Sequence, residues 1–340
     1  MEVFNMLRLG IIGTNWITKQ FIDAAHETNE WQLSSVYSRT IQKAHDFGDL
    51  LGASEFFDDL TKFFLDGNFD AVYIASPNSL HFEQALDAIQ HEKITIVEKP
   101  IVVNPTQWRK LESALKDYPK AKLFEAARHV HEPNFKVVQH AINNFDVVQG
   151  ASLTYAKYSS RYDAVLNGEE PNIFSLDFAG GALQDLGVYV VYDAVAWFGM
   201  PEEVAYFPQK IRTRVDGKGT AILRYPQFDV TLNIGKIANS YVQSEIYGLK
   251  DTIVMDNAAE LNSIRLYDER GEFTEIGTKP EKNPMVAEAQ DFADVINHFD
   301  DEKNQNKYYE WLQLSRNVNK LMFNLRQNAG LYFTGEEDKD

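Results

Sequence analysis

Gly10-Ile11-Ile12-Gly13-Thr14-Asn15-Trp16-Ile17-Thr18 is the stretch that decides the fold. An apolar run from Leu7 to Ile12 stops at Gly13, and an amphipathic stretch over residues 15–26 follows. The pattern is strand, tight turn, helix. A dinucleotide-binding fingerprint G-x-G-x-x-G/A would start at Gly13. Asn15 then stands for the second glycine and Thr18 for the third small residue. Gly13 keeps the tight turn, and a helix N-terminus offers amides to an anion. Asn is a mild replacement, because it tolerates positive φ better than most residues, although its side chain narrows the approach to a pyrophosphate. Gly13, Asn15, Trp16 and Ile17 are the candidate cofactor contacts here; Trp16 either covers the ligand or packs inside.

Working outward, strand signals at 33–37, 71–75, 94–97 and 122–124 alternate with helical signals at 41–51, 79–91 and 105–117. Continuous apolar strands separated by amphipathic helices indicate a parallel sheet covered on both faces. The pattern changes near residue 125. Helices are expected at 133–144 and, long and apolar, at 181–198. From 203 to 276 short alternating runs take over (221–225, 230–237, 241–247, 252–255), with turn signals at Asp216-Gly217 and Arg270-Gly271. Helices near 285–299 and 307–327 close the fold. The fold class expected is α/β. A Rossmann doubly wound parallel sheet occupies 1–124. An α+β domain with a large, mostly antiparallel open sheet occupies 125–332 and carries substrate binding and oligomerisation. Residues 333–340 read as a disordered acidic tail.

Fifty Asp+Glu against 33 Lys+Arg give a net charge of −17 in 340 residues, which argues against a nucleic-acid partner. The absence of cysteine removes disulfides, thiolate metal sites and Cys nucleophiles. A 44% hydrophobic content supplies a large core. No apolar stretch reaches the ~20 residues a bilayer needs, so no membrane partner is expected. The start has no basic segment before an apolar run, and a cytoplasmic location is expected. His129 and His131 have metal-ligand character, but no third ligand is evident and no metal is assigned.

Cofactor choice is read at the end of the second strand. An acidic residue there would hold the ribose hydroxyls of NAD; this chain has Ser38-Arg39-Thr40. A hydroxyl and a guanidinium suit a 2′-phosphate, so NADP is expected, with NAD as the alternative. Ser76-Pro77-Asn78 closes the third strand at the same crevice, where Asn78 is placed to meet the nicotinamide ribose, and His81 lines or caps it.

Glu98-Lys99-Pro100 after a strand, following Ala75-Ser76-Pro77-Asn78 and His81, is one half of a recognisable combination. Gly180-Gly181-Ala182-Leu183-Gln184-Asp185-Leu186-Gly187-Val188-Tyr189 is the other. With the opening motif, these segments resemble the Gfo/Idh/MocA family of oxidoreductases over essentially the whole chain. The resemblance implies that Lys99 and Glu98 lie beside the nicotinamide, and that Asp185 and Tyr189 face the substrate. Many members carry His where this chain has Tyr189; some carry Tyr. Lys99 at the carboxyl end of a parallel strand is where such sheets bind ligands. Partly buried beside a positive nicotinamide, its ammonium would lose protons more easily and become a usable acid–base group. Asp185 and Tyr189 are four residues apart and share a helix face. The activity implied is hydride transfer between nicotinamide and a hydroxyl or carbonyl carbon of a sugar, polyol or cyclic diol. Arg128, Arg161 and Tyr162 are further substrate-side candidates. A non-catalytic dinucleotide-sensing regulator on the same fold is the rival reading; a structural protein that binds no nucleotide is the third. A sheet face without covering helices calls for a partner, so a homodimer or homotetramer through the C-terminal sheet is expected.

Overall fold

Strands whose side chains are apolar on both faces cannot lie at a surface, and this chain uses them for the middle of a covered sheet. The computed structural model describes residues 6–336. By its internal contacts the chain divides into two compact units, residues 1–128 with 281–313, and residues 129–280 with 314–340.

The first unit carries β1 (Leu7–Ile12), α1 (Trp16–Thr28), β2 (Trp31–Tyr37), α2 (Ile41–Gly48), β3 (Glu55–Phe57), α3 (Leu60–Asp66), β4 (Ala71–Ile74), α4 (Asn78–Gln90), β5 (Ile94–Glu98), α5 (Pro105–Asp117) and β6 (Lys122–Ala126). The sheet order is β3-β2-β1-β4-β5-β6, every pair parallel. Alternate side chains go to opposite faces. Leu9, Ile11, Tyr73 and Ile96 join Phe21, Trp31 and Phe292 on one side. Ile12, Val72, Ile74 and Val97 join Phe63, Phe82 and Trp108 on the other. The three-residue edge strand β3 and the short helix α3 go unpredicted, because so few residues carry no readable period.

The second unit carries α6 (Pro133–Asn143), β7 (Gly150–Ala156), α7 (Tyr162–Leu166), α8 (Val188–Phe198), β8 (Glu203–Lys210), β9 (Asp216–Arg224), β10 (Asp229–Gly235), β11 (Ser244–Tyr247), β12 (Thr252–Met255), β13 (Ile264–Tyr267) and β14 (Phe273–Glu275). Its sheet runs β14-β13-β12-β11-β7-β10-β9-β8, with β7 and β10 parallel and the other pairs antiparallel. Asp216-Gly217, read as a turn, instead opens β9, with Asp216 buried. The central strand β7 goes unpredicted; its small residues Gly150, Ala151 and Ser152 mute the apolar alternation.

Two boundaries differ from the sequence division at 124/125. Helix α9 (Val286–Asn297) and α10 (Glu302–Asn328) as far as Gln313 belong to the first unit, although they follow the second in sequence. The cause is packing: Trp31 Nε1 donates to the Ala289 carbonyl at 3.0 Å, and Phe292 meets Phe124 at a 5.1 Å ring separation. The expected tail is also partly anchored. Phe333 is buried, and Arg326 Nη1 and Nη2 grip the two Glu336 carboxylate oxygens at 2.6 and 3.0 Å. Residues 337–340 lie outside the described residues, as do 1–5. Among the described residues no helix is long and apolar enough to cross a membrane.

Candidate active site

The carboxyl ends of β1, β2, β4 and β5 form one edge of the parallel sheet, where α/β sheets bind ligands. Gly13 follows β1 with φ +108°, and a Cβ there would sit 2.6 Å from the Ala75 carbonyl oxygen. Only glycine permits that tight turn. Asn15 does not use positive φ: its φ is −127°. It caps α1 instead. Its Oδ1 accepts from the Ile17 and Thr18 amides at 3.0 and 3.2 Å, and its Nδ2 donates to the Ala75 carbonyl at 2.7 Å. The side chain thus turns back onto the protein and pins the turn to the end of β4. The cap takes the Ile17 and Thr18 amides of α1. Trp16 is 75% exposed, so the packing role falls away. Ser38 is buried at the end of β2 with its Oγ 3.4 Å from Thr14 Oγ1, and Arg39 beside it is exposed. No carboxylate occupies either position. A tight Gly turn, a helix N-terminus and a hydroxyl–guanidinium pair suit a phosphorylated dinucleotide.

At β4 and β5 the structure sorts the remaining candidates. Pro77 caps α4 and Asn78 opens it. The Ser76 hydroxyl donates to Gln84 Oε1 at 2.6 Å, a half-buried bond. Glu98 is buried and accepts from the Tyr73 hydroxyl at 2.5 Å. Burial pushes its carboxyl above the ordinary range, against the pull of Lys99, Tyr73 and Arg128. Lys99, half-buried, comes next, and its peptide to Pro100 is cis. His81 is buried, with Nδ1 2.9 Å from the Pro100 carbonyl oxygen and Nε2 2.8 Å from that of Ser76. It ties together the segments that bear Asn78 and Lys99.

A neutral imidazole donates only once, so it satisfies one of those two carbonyls. Burial holds the His81 pKa below its ordinary value; Lys99 adds to this and the two carbonyls oppose it. A lowered histidine stabilises the fold above its unfolded pKa of about 6.5, and that stability is lost as pH falls through the folded value. Urea midpoints measured from pH 8 to 5 should therefore fall more steeply in the wild type than in His81→Asn; equal slopes would contradict this.

In the second unit the Gly180–Tyr189 segment has a physical explanation. A Cβ on Gly180 would strike the Ile173 carbonyl at 2.6–2.7 Å, and one on Gly181 would lie 2.1 Å from Asp216 Oδ1. The glycines let the segment pack down. Residues Leu183–Gly187 then form a π turn, which runs into α8 at Val188. The shared face of Asp185 and Tyr189 is therefore not that of one continuous α-helix, as expected, but straddles this junction. Asp185 Oδ2 lies 2.6 Å from the buried Lys236 Nζ. Tyr189 is buried, its ring 4.9 Å from His129 and 5.4 Å from Tyr155. His129 Nε2 in turn lies 3.4 Å from Asp193 Oδ1, both side chains fully buried, and burial pushes the Asp193 carboxyl well above its ordinary range. Arg161 is exposed ahead of α7, while Tyr162 packs on Phe174 at 5.6 Å. Among the described residues no group of three His, Asp or Glu side chains could hold a metal.

A sequence model of an oxidoreductase family with an NAD-binding Rossmann fold, GFO_IDH_MocA, matches residues 7–126. A scyllo-inositol 2-dehydrogenase (NADP(+)) of Bacillus subtilis is 35% identical over 332 residues, 98% of this chain and 100% of its own. The chain belongs to the Gfo/Idh/MocA oxidoreductase family. An uncharacterized oxidoreductase of Escherichia coli is 34% identical, again over 98% of this chain and 100% of its own. The fold is that of a 3-ketoreductase from Actinomadura kijaniata solved with NADP and TDP-benzene: TM-score 0.82 at 19% identity, over 95% of this chain and 98% of that one.

For this Gfo/Idh/MocA chain the resemblance read from the Glu98-Lys99-Pro100 and Gly180–Tyr189 segments is borne out, and so is the fold class. Sequence reasoning misses Lys236, Asp193 and Asp216. Lys236 has a signal. Val230, Leu232 and Ile234 alternate inward along β10, and Lys236 continues the same period of two. A lysine in an inward register is worth suspecting. Asp193 has none, since one acid in an apolar helix reads as the wet face.

Proposed function

We propose that this chain is an NADP-dependent dehydrogenase/reductase acting on a CH–OH group of a sugar, polyol or cyclic diol, with NAD as the alternative cofactor. One observation carries the reading: Gly13, Ser38-Arg39, Asn78 and Lys99 stand at the carboxyl ends of parallel strands in one sheet. The end-to-end similarity to an NADP(+)-dependent scyllo-inositol dehydrogenase supports it. The cofactor, when bound, gives or takes a hydride at its nicotinamide. Gly13 and the Asn15 and Trp16 amides hold the pyrophosphate, with Ile17 behind them. Ser38 and Arg39 hold the 2′-phosphate. Asn78 and Pro77 flank the nicotinamide ribose; His81, Ser76 and Glu98 support that edge from beneath, through Pro100, Gln84 and Tyr73. Lys99 or Tyr189 takes or returns the carbinol proton, and Asp185 orients the substrate.

Parallel titration with NADPH and NADH, followed by quenching of the exposed Trp16, tests the cofactor site. Arg39→Ala should weaken NADPH about 10- to 100-fold, the worth of a charge-assisted contact, and leave NADH within about threefold. Equal loss for both cofactors would sink the 2′-phosphate assignment. Cofactor binding without turnover of any polyol would favour the sensing regulator; no binding at all would favour the structural reading.

The absence of cysteine supports a cytoplasmic location. On one face of the second unit's sheet, exposed Phe207 lines a hollow of about 350 Å³ together with Thr154, Thr220 and Asn233. That face supports a homodimer or homotetramer through this sheet.

A further inference from the structure

Lys236 follows β10 and is 1% exposed on its side chain. Its Nζ lies 2.6 Å from Asp185 Oδ2, 3.3 Å from the Ile173 carbonyl oxygen and 4.5 Å from the centre of the Phe174 ring. Tyr162 also packs on Phe174, at a ring separation of 5.6 Å. Asp185 differs from its partner: its side chain is 33% exposed. The pair therefore runs from a dry ammonium to a carboxylate that meets solvent. A buried ammonium persists only when it is matched by negative charge and hydrogen-bond acceptors, and this one is matched by a single contacting carboxylate, a carbonyl and an aromatic face. Asp216 faces the same region but is already engaged, accepting from the Leu183 amide at 2.7 Å and the Tyr206 hydroxyl at 2.6 Å. The π turn adds a second peculiarity, since such turns concentrate at functional sites and here one presents Asp185.

We propose that Lys236 is a positioning residue that fixes Asp185 as an anion in one orientation, so that its carboxylate accepts a hydrogen bond from a substrate hydroxyl neighbouring the reacting carbon. The proposal rests on the dehydrogenase reading above and adds the requirement it places on the substrate: a second hydroxyl beside the carbinol. In this arrangement Asp185 binds and does not carry the reaction's proton, because one of its oxygens is held by an ammonium that solvent does not reach. Loss of Lys236 removes this contact, and the substrate hydroxyl then finds a less fixed acceptor.

Lys236→Met is the informative variant. Met fills the apolar slot beside Phe174, and the carboxylate left behind is already partly solvated. The reverse change, Asp185→Asn, leaves a buried cation without its counter-charge. With scyllo-inositol and NADP, Lys236→Met should raise KM by about tenfold or more, the worth of a hydrogen bond to a charged group, and keep kcat within about threefold. Adding Asp185→Asn should raise KM no further, since the two act as one unit. As competitive inhibitors, trans-1,2-cyclohexanediol should beat cyclohexanol in the wild type and lose that advantage in the variant. A purely structural role would instead lower the active fraction, seen as lost kcat at unchanged KM, and that result, or no change in either, overturns the proposal. If Lys236→Met does not fold, Lys236→Gln, which keeps a donor without charge, gives the same readout in weaker form. Wild-type protein that binds NADPH but turns over no polyol brings down the dehydrogenase reading itself; wild-type turnover with an unmoved KM in the variants brings down only the role of Lys236.

Discussion

Lys99→Met should cut kcat by a factor on the order of 10² to 10⁴, the usual contribution of a positioned acid–base group, while NADPH affinity moves by less than about threefold. Met keeps an apolar chain of similar reach and removes the ammonium. The surroundings are built to resist the change: Glu98 stays bonded to Tyr73, and His81 stays between the Pro100 and Ser76 carbonyls. The ammonium acts electrostatically on both neighbours, holding the Glu98 carboxyl down against burial and pushing the His81 imidazole further down. Its loss should therefore also raise the His81 pKa, which a proton NMR titration of the imidazole would register. Steady-state kinetics with a polyol substrate and a separate NADPH titration split the two roles. Unchanged turnover sinks the acid–base assignment; a tenfold loss of NADPH affinity with kcat intact would recast Lys99 as a cofactor anchor.

The parallel half of the fold is legible because burial on both faces leaves a strong trace. Ala71 to Ala75 is apolar without interruption and Ile94 to Val97 is broken only by Thr95, and only a central strand of a covered sheet tolerates that. The site is less legible, for reasons that lie in three dimensions. Asn15 stands in a motif position that calls for glycine, and the sequence suggests a residue chosen for unusual backbone angles. In the structure its backbone is extended, and its amide does the work by joining the start of α1 to the end of β4. No local pattern announces a partner sixty residues away. Residues 181–198 read as one apolar helix, yet the first turn opens into a π turn because Gly180 and Gly181 must lie flat against the Ile173 backbone and Asp216. His129 reads as a metal-ligand candidate; the fold gives it Asp193 and the ring of Tyr189 instead. Helix α9 looks like the end of the second domain, but its apolar face is complementary to Trp31 and Phe124, laid down some 160 residues or more earlier, and the chain returns to them. What the sequence carries is periodicity; what it omits is which distant surface each periodic face will meet.

Gly181→Ala should destabilise the protein by about 3–4 kcal/mol, at the upper end of what single substitutions do. Two costs add. Gly181 has φ +123°, a backbone region that side chains rarely enter, and its new Cβ would lie 2.1 Å from Asp216 Oδ1. That carboxylate is not a flexible tip that can step aside. It is buried, and its other oxygen accepts from the Leu183 amide and the Tyr206 hydroxyl. Moving it would strand a buried amide at the first residue of the π turn and a buried phenol on β8, each of which costs about 1–3 kcal/mol when left unpaired. Gly168→Ala is the matched control: φ is +94°, but nothing lies within 4 Å of the added carbon. It should carry only the backbone cost of about 1–3 kcal/mol, toward the lower end of that range. Urea denaturation of the two variants isolates the contact as their difference. Asp216→Ala in the Gly181→Ala background gives a further check, because it removes the oxygen the new carbon strikes. The double variant should be less unstable than the two single costs summed, whereas strict additivity would mean that Gly181 is required for its backbone angle alone. The same clash would displace the turn that bears Asp185, so Gly181→Ala should also raise KM for the polyol substrate in whatever fraction remains folded, as is expected of Lys236→Met. A folded Gly181→Ala enzyme with wild-type KM would separate the packing of this turn from the placement of Asp185.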